Sequence, residues 1–178
     1  LLLILGLVLS VALGMGCKGG ETPADASGTQ GSSAEQDAIR EYSSHVVKVD
    51  EKQEAFRAAL RRVSSQCQAD CDIDAHKKAF EDDVLKAFEA YHKALRDMPT
   101  GTTRLSEIHR IIVKAYAASG ETLKKYPQGL TAKNTAERRI AYINSFFAEI
   151  GQSEDEYKSA IAAYFSSVPG VTFKDRLF

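Results

Sequence analysis

Residues 39–63 read IREYSSHVVKVDEKQEAFRAALRRV. Their apolar members, Ile39, Tyr42, Val46, Val49, Phe56, Leu60 and Val63, recur at alternating intervals of three and four, with Gln53 alone interrupting the series. That spacing puts one apolar stripe on one face of an α-helix and leaves the charged residues on the other. From Ser32 to Met98 the chain contains neither glycine nor proline, so nothing in this stretch breaks a helix. The first helix is expected from about Ser33 to Cys67, with Ser33 and Gln36 as a capping box.

Working outward, Phe80, Val84, Ala87, Tyr91, Leu95 and Met98 define a second helix, from about Asp74 to Asp97. Leu105, Ile108, Ile112, Tyr116, Ser119, Leu123 and Tyr126 define a third, after which Pro127 and Gly129 are expected to turn the chain. A fourth stripe follows Asn134, itself three residues before Glu137 as in a capping box. It runs Ala136, Ile140, Ile143, Phe147, Ile150, Tyr157, Ile161, Tyr164 and Val168. Its register survives Gly151, and a fifth helix starting at Ser153-Glu154-Asp155-Glu156 stays open as an alternative. Long amphipathic helices with short links and a repeat near 3.5 predict an all-α fold, an antiparallel up-down bundle of four helices, or five.

The apolar stretch LLLILGLVLSVALGMG, residues 1–16, carries no charge and falls short of the roughly 20 residues that span a bilayer. Its length suits the apolar region of a secretory signal, and with no basic residue ahead of Leu1 the sequence is expected to begin inside that signal. Leu13-Gly14-Met15-Gly16-Cys17 resembles a bacterial lipobox, although Gly14 stands where the motif usually has leucine. The resemblance implies a lipoprotein with Cys17 as its acylated first residue, held to a lipid bilayer by its acyl chains. Lys18 after the cysteine, in place of Asp, implies the outer membrane and a periplasm-facing position. Residues 18–33, KGGETPADASGTQGSS, contain no large apolar side chain and read as a flexible linker reaching about 20–25 Å. The expected organisation is a signal over 1–16, lipidation and linker over 17–33, a helical bundle over 34–170, and a tail, VTFKDRLF, over 171–178.

In the C-terminal part, Tyr126-Pro127, then Ala136-Glu137-Arg138-Arg139-Ile140-Ala141-Tyr142, an apolar helix, Pro169 and a phenylalanine-containing tail resemble the C-terminal half of LemA-type membrane-anchored helical proteins. The resemblance covers about the last 60 residues and implies an envelope protein with a helical body and no established catalytic residues.

The turn Cys67-Gln68-Ala69-Asp70-Cys71 is the most specific feature of the body. In an exported protein two cysteines this close across a helix break are expected to form a disulfide. A redox pair, a metal site completed by His76, and two free thiols are the other readings. Asp70, Asp72, Asp74 and Glu81 follow the ligand spacing of an EF-hand loop, but Ala75 stands where that loop needs glycine and Lys77 where it needs a hydrophobe. Acidic residues there equally suit the N-terminus of a helix, which is the reading preferred. Of the four histidines, His45, His76, His92 and His109, only His76 lies close to an apolar stripe, and none belongs to a haem-attachment or zinc-protease motif.

No nucleophile elbow, P-loop or dinucleotide fingerprint occurs, so the sequence offers no catalytic constellation, and no cofactor and no enzyme activity are expected. A formal net charge of −1 with interspersed basic and acidic pairs, Arg61-Arg62, Lys77-Lys78, Lys124-Lys125 and Arg138-Arg139 against Glu81-Asp82-Asp83, reads as a solvated surface and argues against nucleic acid. The aromatics Tyr42, Phe56, Phe80, Phe88, Tyr91, Tyr116, Phe147 and Tyr164 read as core, while Phe146, Phe173 and Phe178 fit the pattern less well. The functional expectation is a membrane-anchored, non-enzymatic binding or structural module with a protein partner in the envelope. The alternative is a small-ligand or metal-binding protein that uses the Cys67–His76 turn or the bundle core.

Overall fold

The computed structural model describes residues 28–67, 71–131 and 136–171. Among them the chain is helical with no strand, as the stripes predict. Four helices form: α1 (Gly28–Gln66); α2 (residues 73–96), made of Ile73–Ala79, a π-helical turn Phe80–Leu85 and Lys86–Arg96; α3 (Thr103–Gly129); and α4 (Ala136–Ser167). None is long and apolar enough to cross a membrane. Residues 1–16, Cys17, Asp70, Asn134, Phe173 and Phe178 lie outside the described residues, as does most of the expected linker.

Contacts between paired helices descend along one helix as they ascend along the other, which makes the bundle antiparallel. Along α1 and α4 and the residues just past their C-terminal ends, Gln36 reaches the Pro169 carbonyl, Tyr42 meets Tyr157, Phe56 meets Phe146, and Cys67 meets Arg139. On α2 and α3, Phe80 packs on Tyr126, Phe88 on Tyr116, and Leu95 receives His109. The core between them is layered. An aromatic layer of Phe56, Phe88 and Phe146 lies in its middle, with polar layers on either side.

Several elements depart from the sequence pattern, each for a local reason. α1 starts at Gly28, upstream of Ser33, so residues 28–32 are helical and Ser33 does not cap the helix; Gln36 instead donates to the Pro169 carbonyl at 2.6 Å. In α2 the buried residues His76, Phe80, Val84 and Phe88 are spaced four apart. In an unbroken α-helix each such step overshoots a turn by about 40°, or about 120° over the run. The wider π turn absorbs that drift. Phe88 therefore takes the core position expected for Ala87, which is only partly buried.

α3 does not stop before Pro127 but continues to Gly129, with Pro127 inside its last turn. A proline there removes one hydrogen bond at a helix end, where little is lost. α4 is continuous through Gly151, so no fifth helix forms. Its first half is rotated from the expected register: Arg139 and Phe146 are buried, Phe147 is partly buried, and Ile140 is 55% exposed.

Two glycines in helix interiors give a paired test. A Cβ on Gly151 would meet nothing within 4 Å, so Gly151→Ala is expected to stabilise by the helix-propensity difference, about 0.5–1 kcal/mol. A Cβ on Gly120 would lie 2.6 Å from Phe88 Cε1, and that ring is held between Phe56, Tyr116 and Phe146. There overpacking of about 1–3 kcal/mol outweighs the same propensity gain, and Gly120→Ala is expected to destabilise. Urea midpoints of the two variants should move in opposite directions.

Candidate functional site at the disulfide turn

Asp72 starts α2. Its Oδ1 accepts from the backbone N–H of Asp74 and of Ala75, both at 3.1 Å, so this carboxylate caps the helix. The Asp74 side chain is 97% exposed, and Glu81 is exposed as well. Among the described residues, Asp72, Asp74 and Glu81 do not gather into a group of possible metal ligands, and Asp72 takes the capping role. Cys67 and Cys71 are joined in a disulfide with Cα atoms 4.7 Å apart. This bridge closes the turn between α1 and α2, and Cys67 is buried while Cys71 is partly exposed.

His76 is the third member of this cluster. Among the described residues, Cys67, Cys71 and His76 form the one group of potential metal ligands, their donor atoms all within 4.8 Å of one another. The imidazole shares a 3.2 Å hydrogen bond with the Tyr126 hydroxyl through Nε2 and packs edge-on against that ring. Burial, assisted by the Arg139 guanidinium, holds the His76 pKa below its ordinary value, so the ring is neutral at pH 7. Burial also pushes Tyr126 up to about 12. Arg139 donates to the Cys67 carbonyl at 3.2 Å. A cavity of about 20 Å³, room for one water-sized particle, lies among Ser64, Cys67, His76, Tyr126, Arg139, Ile140 and Ile143.

Two further polar layers sit deeper in the bundle. The Nε2 of His109 lies 2.8 Å from the Leu95 carbonyl, which can only accept, so Nε2 carries the proton. Nδ1 then accepts from the Tyr42 hydroxyl at 2.8 Å, and the Tyr42 oxygen accepts in turn from Tyr157. In the neighbouring layer Gln53 donates to the hydroxyls of Tyr91 at 3.2 Å and Tyr116 at 3.4 Å, and Tyr116 donates to Glu154 at 2.6 Å. The interruption of the α1 stripe by Gln53 is thus a buried polar contact. Burial raises the pKa of Tyr42, Tyr91 and Tyr116 and lowers that of His109, so all these groups are neutral at pH 7.

Sequence reasoning found Cys67, Cys71 and His76 but passed over His109, which is buried on the α3 stripe beside the expected Ile108. The available signal was position: His109 stands four residues after Leu105. Arg139, expected on the surface with Arg138, is 6% exposed. The other basic residues behave as expected. Arg62 pairs with Asp83 at 2.9 Å, and Lys78 and Lys86 both donate to Asp82, at 2.7 and 2.8 Å, holding its pKa near 2. These are exposed pairs of little energetic weight.

The disulfide makes its own prediction. Its loop is short, so the loop-entropy account assigns it about 2 kcal/mol. Reduction, or Cys67→Ser with Cys71→Ser, is expected to lower the unfolding free energy by that amount without abolishing folding, as read by urea denaturation with and without a phosphine reductant. No protein-family model, curated protein or solved structure matches this chain.

Proposed function

We propose that this chain is an envelope lipoprotein, held to a lipid bilayer through acylated Cys17 and facing the periplasm from the outer membrane, whose bundle is a non-enzymatic binding or structural module. The observation that carries the reading is the use of the core's polar groups. Gln53 bonds Tyr91 and Tyr116, Tyr116 bonds Glu154, and His109 bonds Tyr42 and the Leu95 carbonyl, contacts between helices by which a rigid scaffold specifies one register. The apolar segment ending at Cys17 supplies the address, and the lipobox and LemA-type resemblances point to the same compartment. The partner is a protein of the envelope, met by a surface of alternating charges on which Val47 and Ile140 stand out as exposed apolar side chains.

In-cell crosslinking of the tagged protein, followed by mass spectrometry, tests this. Reproducible partners that are lost or weakened when Cys17→Ser releases the protein from the membrane are the expected result. Recovery of the protein alone would overturn it. A second reading, a metal- or small-ligand-binding protein, is favoured by one observation, the convergence of Cys67, Cys71 and His76.

A further inference from the structure

We infer that His92 and His109 form an acid-sensitive clasp on the α2–α3 hairpin, which holds the loop end of that hairpin closed while both imidazoles are neutral and releases it when they take up protons. The inference stands apart from the partner-binding reading and does not depend on it.

The two side chains reach in opposite directions, one helical turn apart on the same seam. His109 on α3 donates from Nε2 to the Leu95 carbonyl of α2 at 2.8 Å. His92, three residues before Leu95 on α2, lies at the Val113 carbonyl of α3, four residues after His109. Past them only residues 97–102 connect the two helices, and there Gly101 takes a φ of +63°. The same turns carry Leu95, Leu105 and Ile112, all buried, so parting the seam at this end uncovers apolar surface.

Neither imidazole has room for a second proton. Both nitrogens of His109 are taken, Nε2 by the Leu95 carbonyl and Nδ1 by the Tyr42 hydroxyl at 2.8 Å, while Tyr42 accepts in turn from Tyr157. A proton on Nδ1 would turn that acceptor into a donor and reverse the Tyr42 hydroxyl. The titratable groups that face the ring, Tyr42 from α1 and Tyr157 from α4, supply no counter-charge, because burial raises the pKa of both, that of Tyr157 to about 12. In His92, Nε2 is buried and meets no hydrogen-bond partner among the described residues. An imidazolium carries a proton on each nitrogen, so charged His92 would hold a buried N–H unsatisfied. The charges nearest this ring are cations, Arg96 on its own helix and Lys124 on α3. Burial is the main reason that both rings resist protonation, and the two cations add to it at His92; the Val113 and Leu95 carbonyls oppose it and do not prevail.

The direction of the effect follows. Once released, the two histidines protonate near 6.5. Above that pH the closed and open forms are both neutral and the clasp is at full strength. Below it the open form binds protons that the closed form does not, so the opening constant rises by as much as about tenfold per pH unit for each histidine.

Hydrogen exchange read by mass spectrometry between pH 7.5 and 5, on the chain with its disulfide intact and with rates corrected for the intrinsic pH dependence of amide exchange, tests the clasp. Segment 91–113 should lose protection below pH 6.5 ahead of the rest of the bundle, with a logarithmic slope approaching about two per pH unit, while circular dichroism shows the helices retained. His92→Gln, at a side chain only partly buried, should bring that slope down toward one, and His92→Gln combined with His109→Gln should flatten it. If the double variant does not fold, the slope of the unaltered chain and its change in His92→Gln decide the matter. Protection lost equally over all four helices would overturn the inference, since it would report unfolding of the whole bundle. So would protection in 91–113 that is independent of pH, or a slope in His92→Gln equal to that of the unaltered chain.

Discussion

Phe56→Ala should cost about 3–5 kcal/mol of unfolding free energy, a large share of the 5–15 kcal/mol typical of a domain. Phe56 is 1% exposed and sits where three helices meet. Its ring lies 5.3 Å from Phe88 and 6.4 Å from Tyr91 on α2, and 6.1 Å from Phe146 on α4. Truncation removes the transfer free energy of the ring and leaves a cavity. The surrounding aromatics are rigid and tied to further neighbours, Tyr91 through Gln53 and Phe146 through Phe147, so they collapse poorly into the space. Val47→Ala, on the same helix at a side chain 61% exposed, is the control and should change stability by less than about 0.5 kcal/mol. A urea titration monitored by far-ultraviolet circular dichroism reads both. Equal midpoints for the two variants would mean that the three-helix aromatic layer does not carry the fold.

The second large effect is an acid-side loss of stability traceable to His109. Burial lowers the pKa of His109, as it does for His76 and His92, whereas the unfolded chain protonates near 6.5. Above 6.5 both states are neutral and stability is complete. As pH falls below 6.5 the unfolded state gains protons that the folded state does not, and unfolding becomes easier by as much as about 1.4 kcal/mol per pH unit for each such histidine. Asp50, whose pKa burial raises, works in the opposite direction at lower pH and offsets part of the loss. His109→Gln keeps a donor for the Leu95 carbonyl and removes the titration. It should cost about 1–3 kcal/mol at pH 7.5, because Tyr42 loses its acceptor, yet lose about 1 kcal/mol less than the parent between pH 7.5 and 5.5. Parallel pH profiles for the two proteins would show that burial does not hold the His109 pKa below its unfolded value.

The candidate site was legible in the sequence only where its members are neighbours along the chain. Cys67, Cys71 and His76 fall within ten residues, so a single helix break brings them together, and their spacing alone suggests a disulfide or a metal site. Arg139 and Tyr126 complete the same cavity from α4 and α3, and no local pattern connects them to it. A buried arginine reads in sequence as a surface one, since burial depends on partners, among them the Cys67 carbonyl, that the folded chain supplies from a distant turn.

Sequence by itself determined that this chain is a bundle of helices, because a stripe at intervals of three and four is a local property. Each stripe commits its own segment to an amphipathic helix that must hide one face. It also pointed first to the short disulfide, with a metal site as an alternative, and to the acidic cap of α2. Only the tertiary structure decided which side of each helix is innermost to within one residue. A shift of one position rotates a side chain by about 100°, and both Phe146 and Phe147, or Ala87 and Phe88, satisfy an apolar pattern. What separates them is the shape of the neighbouring helix, through the π turn in α2 and the close approach of Gly120 to Phe88. The same holds for Gln53 and His109, polar residues inside the bundle. Their burial is tolerable because hydroxyls and a carbonyl on other helices meet them at hydrogen-bond distance.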